Sequence, residues 1–166
     1  SILELEQSKF LVLKDAIEVA LENHRHNLLA LRDVPPVQSI IRASTNNNVD
    51  PISGDSLDEW RQRLAIILNS FVSNHGEYQQ IRFIDAQGNE LVRVQHATQG
   101  TAEVVADTEL QKKSDSLYVT ETLKLKPGET YYSDVNLNRE HGVIQLPHLP
   151  VLRLATPVFA GDGKVF

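Results

Sequence analysis

The first thirty residues carry an uninterrupted helical pattern. Residues 2–31 contain neither Gly nor Pro, and their apolar positions recur at spacings of three, four and seven, which is the period of one helix face. The members of this apolar stripe are Leu3, Phe10, Leu13, Ile17, Leu21 and Leu28. A helix of about 30 residues extends about 45 Å. We therefore expect it either to project and pair with a second copy, or to pack lengthwise along the domain.

Two more helices are expected after this one. Pro35 and Pro36 end the first helix and can open a second over residues 37–43, because proline fits the first turn of a helix. Ser56 and Glu59 form a capping-box pattern that starts a third helix. One face of that helix carries Leu57, Trp60, Leu64, Ile67, Leu68 and Phe71. On this stripe Trp60 is predicted to pack in the core against a sheet.

The pattern changes to strands after Gly76. Residues 78–85 and 90–96 predict a hairpin that turns at Gly88. Further along we predict a helix from Asp107 or Thr108 to Tyr118, strands at 130–135 and 151–159, a loop at 136–150 and a turn at 160–164. Helices followed by an antiparallel meander define an α+β domain.

Composition excludes several classes of function. The net charge of −6 opposes nucleic-acid binding, and the absence of Cys excludes disulfides, thiolate metal sites and a Cys nucleophile. No phosphate loop, nucleophile elbow or zinc-protease motif is present. The longest apolar run, residues 64–68, is far below the roughly 18 residues of a membrane span. With Ser1 in first place and no Met, we expect the sequence to be a piece of a longer protein.

Metal binding is not indicated. The six histidines are scattered and lack the short spacing of metal ligands. Asp134, Asn136 and Asn138 alternate as in a calcium loop, but Arg139 stands where the sharp turn needs Gly. We predict neither a metal nor a cofactor.

Arginines on predicted strands are the most informative polar residues: Arg82, Arg93 and Arg153. A guanidinium in mid-strand must face solvent or find an anion, because it does not lose its proton. One interpretation is internal pairing, for example of Arg82 with Asp85 or Glu90. The other is a concave polar face that holds a small anionic or zwitterionic ligand, with hydroxyls from Tyr78, Tyr131 or Tyr132.

Several segments in this order resemble a known family. They are residues 35–43, 60–64, 78–94, 110–113, 132–142 and 150–159, and the most specific is Ile-Arg-Phe-Ile-Asp-x-x-Gly-x-Glu at 81–90. Together they resemble the extracytoplasmic Cache sensor domains of bacterial transmembrane receptors. The resemblance is strongest to double Cache domains that precede diguanylate cyclase or histidine kinase modules.

The resemblance implies a fold and a pocket. Residues 1–31 would form a long helix leaving a membrane span, and residues 32–166 a membrane-distal, PAS-like lobe of antiparallel sheet flanked by helices, ending as its last strand begins. The candidate ligand-binding residues are Trp60, Arg82, Arg93, Tyr118, Tyr132, Asp134 and Arg153. The implied function is a non-catalytic periplasmic sensor whose small-molecule occupancy, by a carboxylate or amino-acid-like ligand, is transmitted through the N-terminal helix.

Two other classes of function remain open. A ligand-free structural domain would use the stripe of Leu3, Phe10, Leu13 and Ile17 to form a homodimer within a membrane-tethered receptor. A cytoplasmic hydrolase or cofactor-binding PAS domain is disfavoured, because no nucleophile–base pair is visible and no Cys is present for a flavin adduct.

Overall fold

A computed structural model describes residues 2–97, 100–134, 136–137, 139–140, 143–144 and 150–166, with the side chains of 2–12, 136–137, 139–140, 144 and 150 left aside. Its elements are α1 (Ile2–Arg32), α2 (Pro35–Ser44), α3 (Leu57–Asn74), β1 (Gln80–Ile84), β2 (Glu90–His96), β3 (Ala102–Val104), a 3-10 turn (Asp107–Glu109), α4 (Leu117–Thr122), β4 (Tyr131–Tyr132), β5 (Asn136–Leu137), β6 (Arg139–Glu140), β7 (Val143–Ile144), β8 (Pro150–Val151) and β9 (Leu154–Ala155).

The main sheet is antiparallel, with strand order β1-β2-β3. Arg82 lies opposite Arg93 in its register, and Ile81 lies opposite Val94. The remaining described strands form three two-stranded pairs, β4 with β9, β5 with β8, and β6 with β7. The α+β fold class predicted from the sequence is confirmed.

The β1–β2 turn depends on Gly88. Its φ of +87° is a backbone conformation that residues with a side chain rarely adopt. A Cβ at this position would lie 2.5 Å from the backbone nitrogen of Ser114. The close approach lets the amide of Lys113 donate to the Gly88 carbonyl at 2.7 Å. Asp85 completes the turn, because its Oδ1 accepts from the amides of Gln87 and Asn89. The predicted hairpin is confirmed.

The hydrophobic core lies between the sheet and helices α2 and α3. Its largest fully buried apolar side chains are Ile40 of α2, Leu64 and Val72 of α3, and Val94 of β2. The capping box at the start of α3 is present: Ser56 Oγ accepts from the Glu59 amide, and the Glu59 carboxylate accepts from the Ser56 amide. The predicted start of α3 is therefore confirmed.

The long N-terminal helix is also confirmed, but its two parts differ. Residues 13–20 are all exposed, whereas the helix is partly buried at Leu28 and at Leu31, which packs against the core. Of the predicted stripe, Leu13 and Ile17 are 60% and 52% exposed. The side chains of Leu3 and Phe10 lie outside the described part of the chain. The described part of α1 thus packs along the lobe only near its C-terminal end.

The predicted helix from Asp107 or Thr108 to Tyr118 is wrong. The chain forms a 3-10 turn there, and α4 begins only at Leu117. Residues 110–113 are extended because they pair with the hairpin, and the Glu90 amide donates to the Gln111 carbonyl at 3.0 Å. Pairing with a distant strand has overridden a local helix signal.

The later strands are shorter than predicted. The expected strand at 130–135 is reduced to β4, and the one at 151–159 is divided between β8 and β9. Ser133 and Arg153 still pair through their backbone, with Ser133 N donating to Arg153 O at 2.9 Å. The predicted 160–164 turn is confirmed by a bridge between Phe159 and Val165. Within the predicted 136–150 loop, the structure describes β5, β6, β7 and the first residue of β8, and residues 138, 141–142 and 145–149 lie outside the described residues.

Candidate functional site

A cleft of about 470 Å³ opens beside β1. It is bounded by the C-terminal third of α1, by β1, by α4 and by residues 151–158. β1 is the edge strand of its sheet among the described strands, and the cleft passes around that edge. Most of the wall is apolar. Three polar side chains face one another on the α4 side: Arg82, Tyr118 and Arg153.

Arg82 extends from the face of β1 opposite to Ile81 and Phe83, because successive strand side chains alternate. Its Nε lies 2.9 Å from Glu90 Oε2, and its Nη1 donates to the Tyr118 hydroxyl at 3.4 Å. The side chain is nearly buried and still lines the cleft. The internal pairing of Arg82 with Glu90 is confirmed, and it leaves the guanidinium at the cleft wall.

Glu90 fixes the position of Arg82 from outside the cleft. Its side chain has no exposed surface and is absent from the cleft lining. Its Oε1 accepts from the Gln111 amide at 2.7 Å and lies 3.1 Å from Nη1 of Arg93. One buried carboxylate therefore contacts two arginines, of which only Arg82 reaches the cleft. A buried carboxylate with several donors fixes the orientation of its partners.

Tyr118 lies between the two cleft arginines. The Arg153 guanidinium carbon is 5.5 Å from the centre of the Tyr118 ring, within the range of a cation–π contact. Burial raises the pKa of the Tyr118 phenol, while the charges of Arg82 and Arg153 oppose that rise. The hydroxyl stays protonated at neutral pH, so it can both donate and accept.

The structure brings three of the seven candidate residues together: Arg82, Tyr118 and Arg153. Arg93 is buried outside the cleft, and it contacts the Glu90 carboxylate that also contacts Arg82. Arg153 lies between β8 and β9 and not within a continuous strand. Of the three tyrosines suggested as hydroxyl donors, Tyr78 lines the cleft.

The remaining three candidates lie elsewhere. Trp60 is on α3, where its Nε1 donates to Ser53 Oγ at 3.1 Å and Arg63 stacks over its ring at 4.3 Å. Tyr132 and Asp134 are exposed and are not part of the cleft wall. The predicted core position of Trp60 is supported, since its partly buried ring packs against the core.

Strand alternation alone could not identify Glu90 as the centre of the cluster. In a regular antiparallel register Glu90 and Arg93 would point to opposite faces, because they are three residues apart. The register shifts by one residue between Phe83 and Ile84, so Ile84 lies opposite Glu90 and Leu91 is the extra residue. This bulge turns Glu90 toward the arginines. The sequence indicated Glu90 only as one of two possible partners of Arg82.

The described residues lack a metal cluster and a membrane-spanning helix. They contain no group of three or more His, Asp or Glu side chains placed to hold a metal ion. None of the helices in the described part of the chain combines the length and apolarity needed to cross a membrane. The calcium-loop pattern of Asp134, Asn136 and Asn138 includes Asn138, which lies outside the described residues.

Comparison with known proteins identifies the fold. The chain is similar to the extracellular domain of vpHK1S-Z8, a protein assigned as a histidine kinase, with a TM-score of 0.68, 21% identity, and coverage of 87% of this chain and 49% of that one. It is also similar to a domain of a sensory box/GGDEF family protein from Vibrio parahaemolyticus, with a TM-score of 0.60, 22% identity, and coverage of 92% and 57%. The chain thus spans about half of each solved domain.

Sequence comparison gives the family. No curated protein matches the chain. The family model of the bacterial histidine kinase sensor domain matches residues 39–165, which include most of α2, all of α3, β1–β3 and α4, and the cleft residues Arg82, Tyr118 and Arg153. The resemblance to the sensor domains of bacterial receptors is therefore confirmed, and the chain belongs to the family of bacterial histidine kinase sensor domains.

Proposed function

We propose that this chain is the sensing lobe of a bacterial transmembrane receptor and that its cleft binds a small molecule carrying a carboxylate. The observation that carries the proposal is the convergence of Arg82 and Arg153 on Tyr118 at the cleft wall. The family membership supports a sensing role without catalysis.

The chemistry of the cleft favours an anionic group on an apolar body. A guanidinium binds a carboxylate through two parallel hydrogen bonds, and such charge-assisted contacts are strong where water is largely excluded. Arg82 is oriented in advance by Glu90, which lowers the entropy cost of binding. The rest of the wall includes Leu28 of α1, Val119 of α4 and Leu123, which follows α4, and it suits the non-polar part of a ligand.

The proposed location is the periplasm. A similar solved structure is the extracellular domain of a protein assigned as a histidine kinase, which supports an extracytoplasmic position for this chain. The C-terminal third of α1 lines the cleft, while residues 13–20 stand free of the lobe. A ligand in the cleft would thus contact an element that continues away from it, toward the proposed membrane anchor.

Calorimetric titration with a panel of acetate, benzoate, succinate and glutamate tests the binding proposal. We expect at least one member to bind, and Arg82→Ala or Arg153→Ala to weaken it about tenfold or more, because a hydrogen bond to a charged group contributes roughly 1.5–3 kcal/mol. Arg63→Ala is the matched control, since Arg63 stacks on Trp60 and is absent from the cleft wall. Equal affinities in all three variants would rule the site out.

A second candidate function is dimerisation through α1. The specific observation in its favour is the exposure of Leu13 and Ile17 on the free part of that helix. Apolar side chains on one helix face are buried when a second helix packs against them. Sedimentation of the parent and of the Leu13→Asp variant tests this role: a concentration-dependent dimer that Leu13→Asp abolishes supports it, and a monomer at every concentration contradicts it.

A further inference from the structure

The hydroxyl of Tyr78 is the meeting point of two side chains from α1. Nδ1 of His24 lies 2.6 Å from the hydroxyl oxygen, and Nδ2 of Asn27 donates to it at 3.0 Å. The imidazole also meets the phenol ring edge-on, with centroids 5.3 Å apart. His24 and Asn27 are on one face of α1, because residues three apart are neighbours on a helix.

The ring of Tyr78 belongs to the lobe and not to α1. It contacts Phe71 of α3 with centroids 5.4 Å apart, and Phe71 in turn stacks on His75 at 4.0 Å. The residue lies two positions before β1 and four before Arg82. Any movement of α1 away from the lobe must therefore break the contacts at the hydroxyl, since the ring is held by α3.

The same residue lines the cleft. Tyr78, His24 and Asn27 are all part of its wall, on the same side as Leu28 of α1. An occupant of the cleft thus lies against the contacts that hold the helix. Arg25 adds a further link of α1, through its Nη2, to the carbonyl of Gly128 at 3.2 Å in the turn before β4.

We propose that Tyr78 is the positioning residue that fastens α1 to the cleft wall and thereby couples the cleft to the helix. The proposal rests on the sensing function proposed above, because a coupling between the cleft and α1 transmits a signal only if the cleft binds a ligand. With both contacts made, α1 is docked; with them lost, the helix shifts toward a released arrangement. A ligand that favours one arrangement moves this equilibrium.

Hydrogen exchange of the ligand-free chain tests the fastening. Tyr78→Phe removes the hydroxyl and keeps the ring, and we expect amides in residues 24–32 of α1 to exchange about tenfold faster, because local opening becomes easier when its closing contacts are lost. Amides of α3 should be unchanged, which a general loss of stability would not allow. Tyr132→Phe is the matched control, because Tyr132 is exposed and away from the cleft.

A variant on the α1 side gives an independent measurement. Asn27→Ala removes one partner of the same hydroxyl and should reproduce the faster exchange of residues 24–32. Unchanged exchange of α1 in Tyr78→Phe would overturn the proposal even if the carboxylate panel yields a ligand. Conversely, a panel without any binder contradicts the binding function while leaving the exchange result intact, so the two failures are distinguishable.

Discussion

Helices α1 and α3 carry the same apolar period, yet their described side chains bury it to different extents. On α3, Leu64 and Leu68 are almost completely buried between the sheet and α2. On α1, Leu13 and Ile17 are more than half exposed. The difference teaches that a period of 3.6 predicts a helix and its apolar face, but not the partner that covers the face. If exposure governs energy, substitutions on the two stripes should change the free energy of unfolding by different amounts.

The largest effect is expected for Leu64→Ala. The side chain is fully buried in the core, so its removal leaves a cavity that costs about 3–5 kcal/mol of unfolding free energy. Ile66→Ala on the same helix is the control, because Ile66 is exposed and its loss should change stability by less than about 0.5 kcal/mol. Urea unfolding measures both. Equal losses would contradict the assignment of the buried face of α3.

Trp60→Ala should cost less than a fully buried aromatic residue, about 2–3 kcal/mol in unfolding free energy. The ring packs against the core but is only partly buried, and its N–H bonds to Ser53. Trp60→Phe separates the two contributions, since the ring remains and the hydrogen bond, worth about 0.5–1.5 kcal/mol, is lost. An unchanged midpoint for Trp60→Ala would show that this end of α3 is not packed.

The loop that leads into α3 gives a pH-dependent test. Asp50 is fully buried, and the Arg42 guanidinium donates to both of its carboxylate oxygens. This contact holds the pKa of Asp50 well below its usual range. Hydrogen bonds from the Ile52 amide and the Ser53 hydroxyl lower the pKa further. A lowered pKa in the folded state stabilises the fold above the unfolded-state pKa of about 3.9, and this contribution is lost as the pH falls through the folded-state value.

Asp50→Asn should therefore lower the melting temperature at pH 7, by less than Leu64→Ala because Asn keeps the size and can still accept a hydrogen bond. The gap between the parent and the variant should narrow as the pH falls below about 4. Thermal melts at a series of pH values measure the gap. A gap independent of pH would mean that the charge of Asp50 does not contribute to stability.

The sequence predicted the elements whose causes are local. The capping residues Ser56 and Glu59, the glycine of the β1–β2 turn and the proline start of α2 all act within a few residues, and each is present in the structure. Part of the site was predictable for the same reason: Arg82 stands in a strand with clear alternation, and it does line the cleft.

The rest depended on contacts between distant segments. Residues 110–113 look helical locally but are extended, because Lys113 bonds to Gly88 in the hairpin turn. The contact of Glu90 with Arg93 depends on the one-residue shift opposite Ile84. Tyr78 finds its partners 54 and 51 positions earlier, on α1. None of these pairings has a period or motif in the sequence.

The smallest effect is expected at Ile17, and it completes the comparison. Ile17→Ala should change the unfolding free energy of the monomer by less than about 0.5 kcal/mol, because the side chain is half exposed and Ala is the better helix former. Sedimentation of the same variant shows whether the apolar stripe of α1 contacts a second copy. A weaker dimer with unchanged monomer stability assigns the face to a second copy, which would make it as buried as that of α3. A loss of stability as large as that of Leu64→Ala would instead mean that the free part of α1 packs on its own lobe.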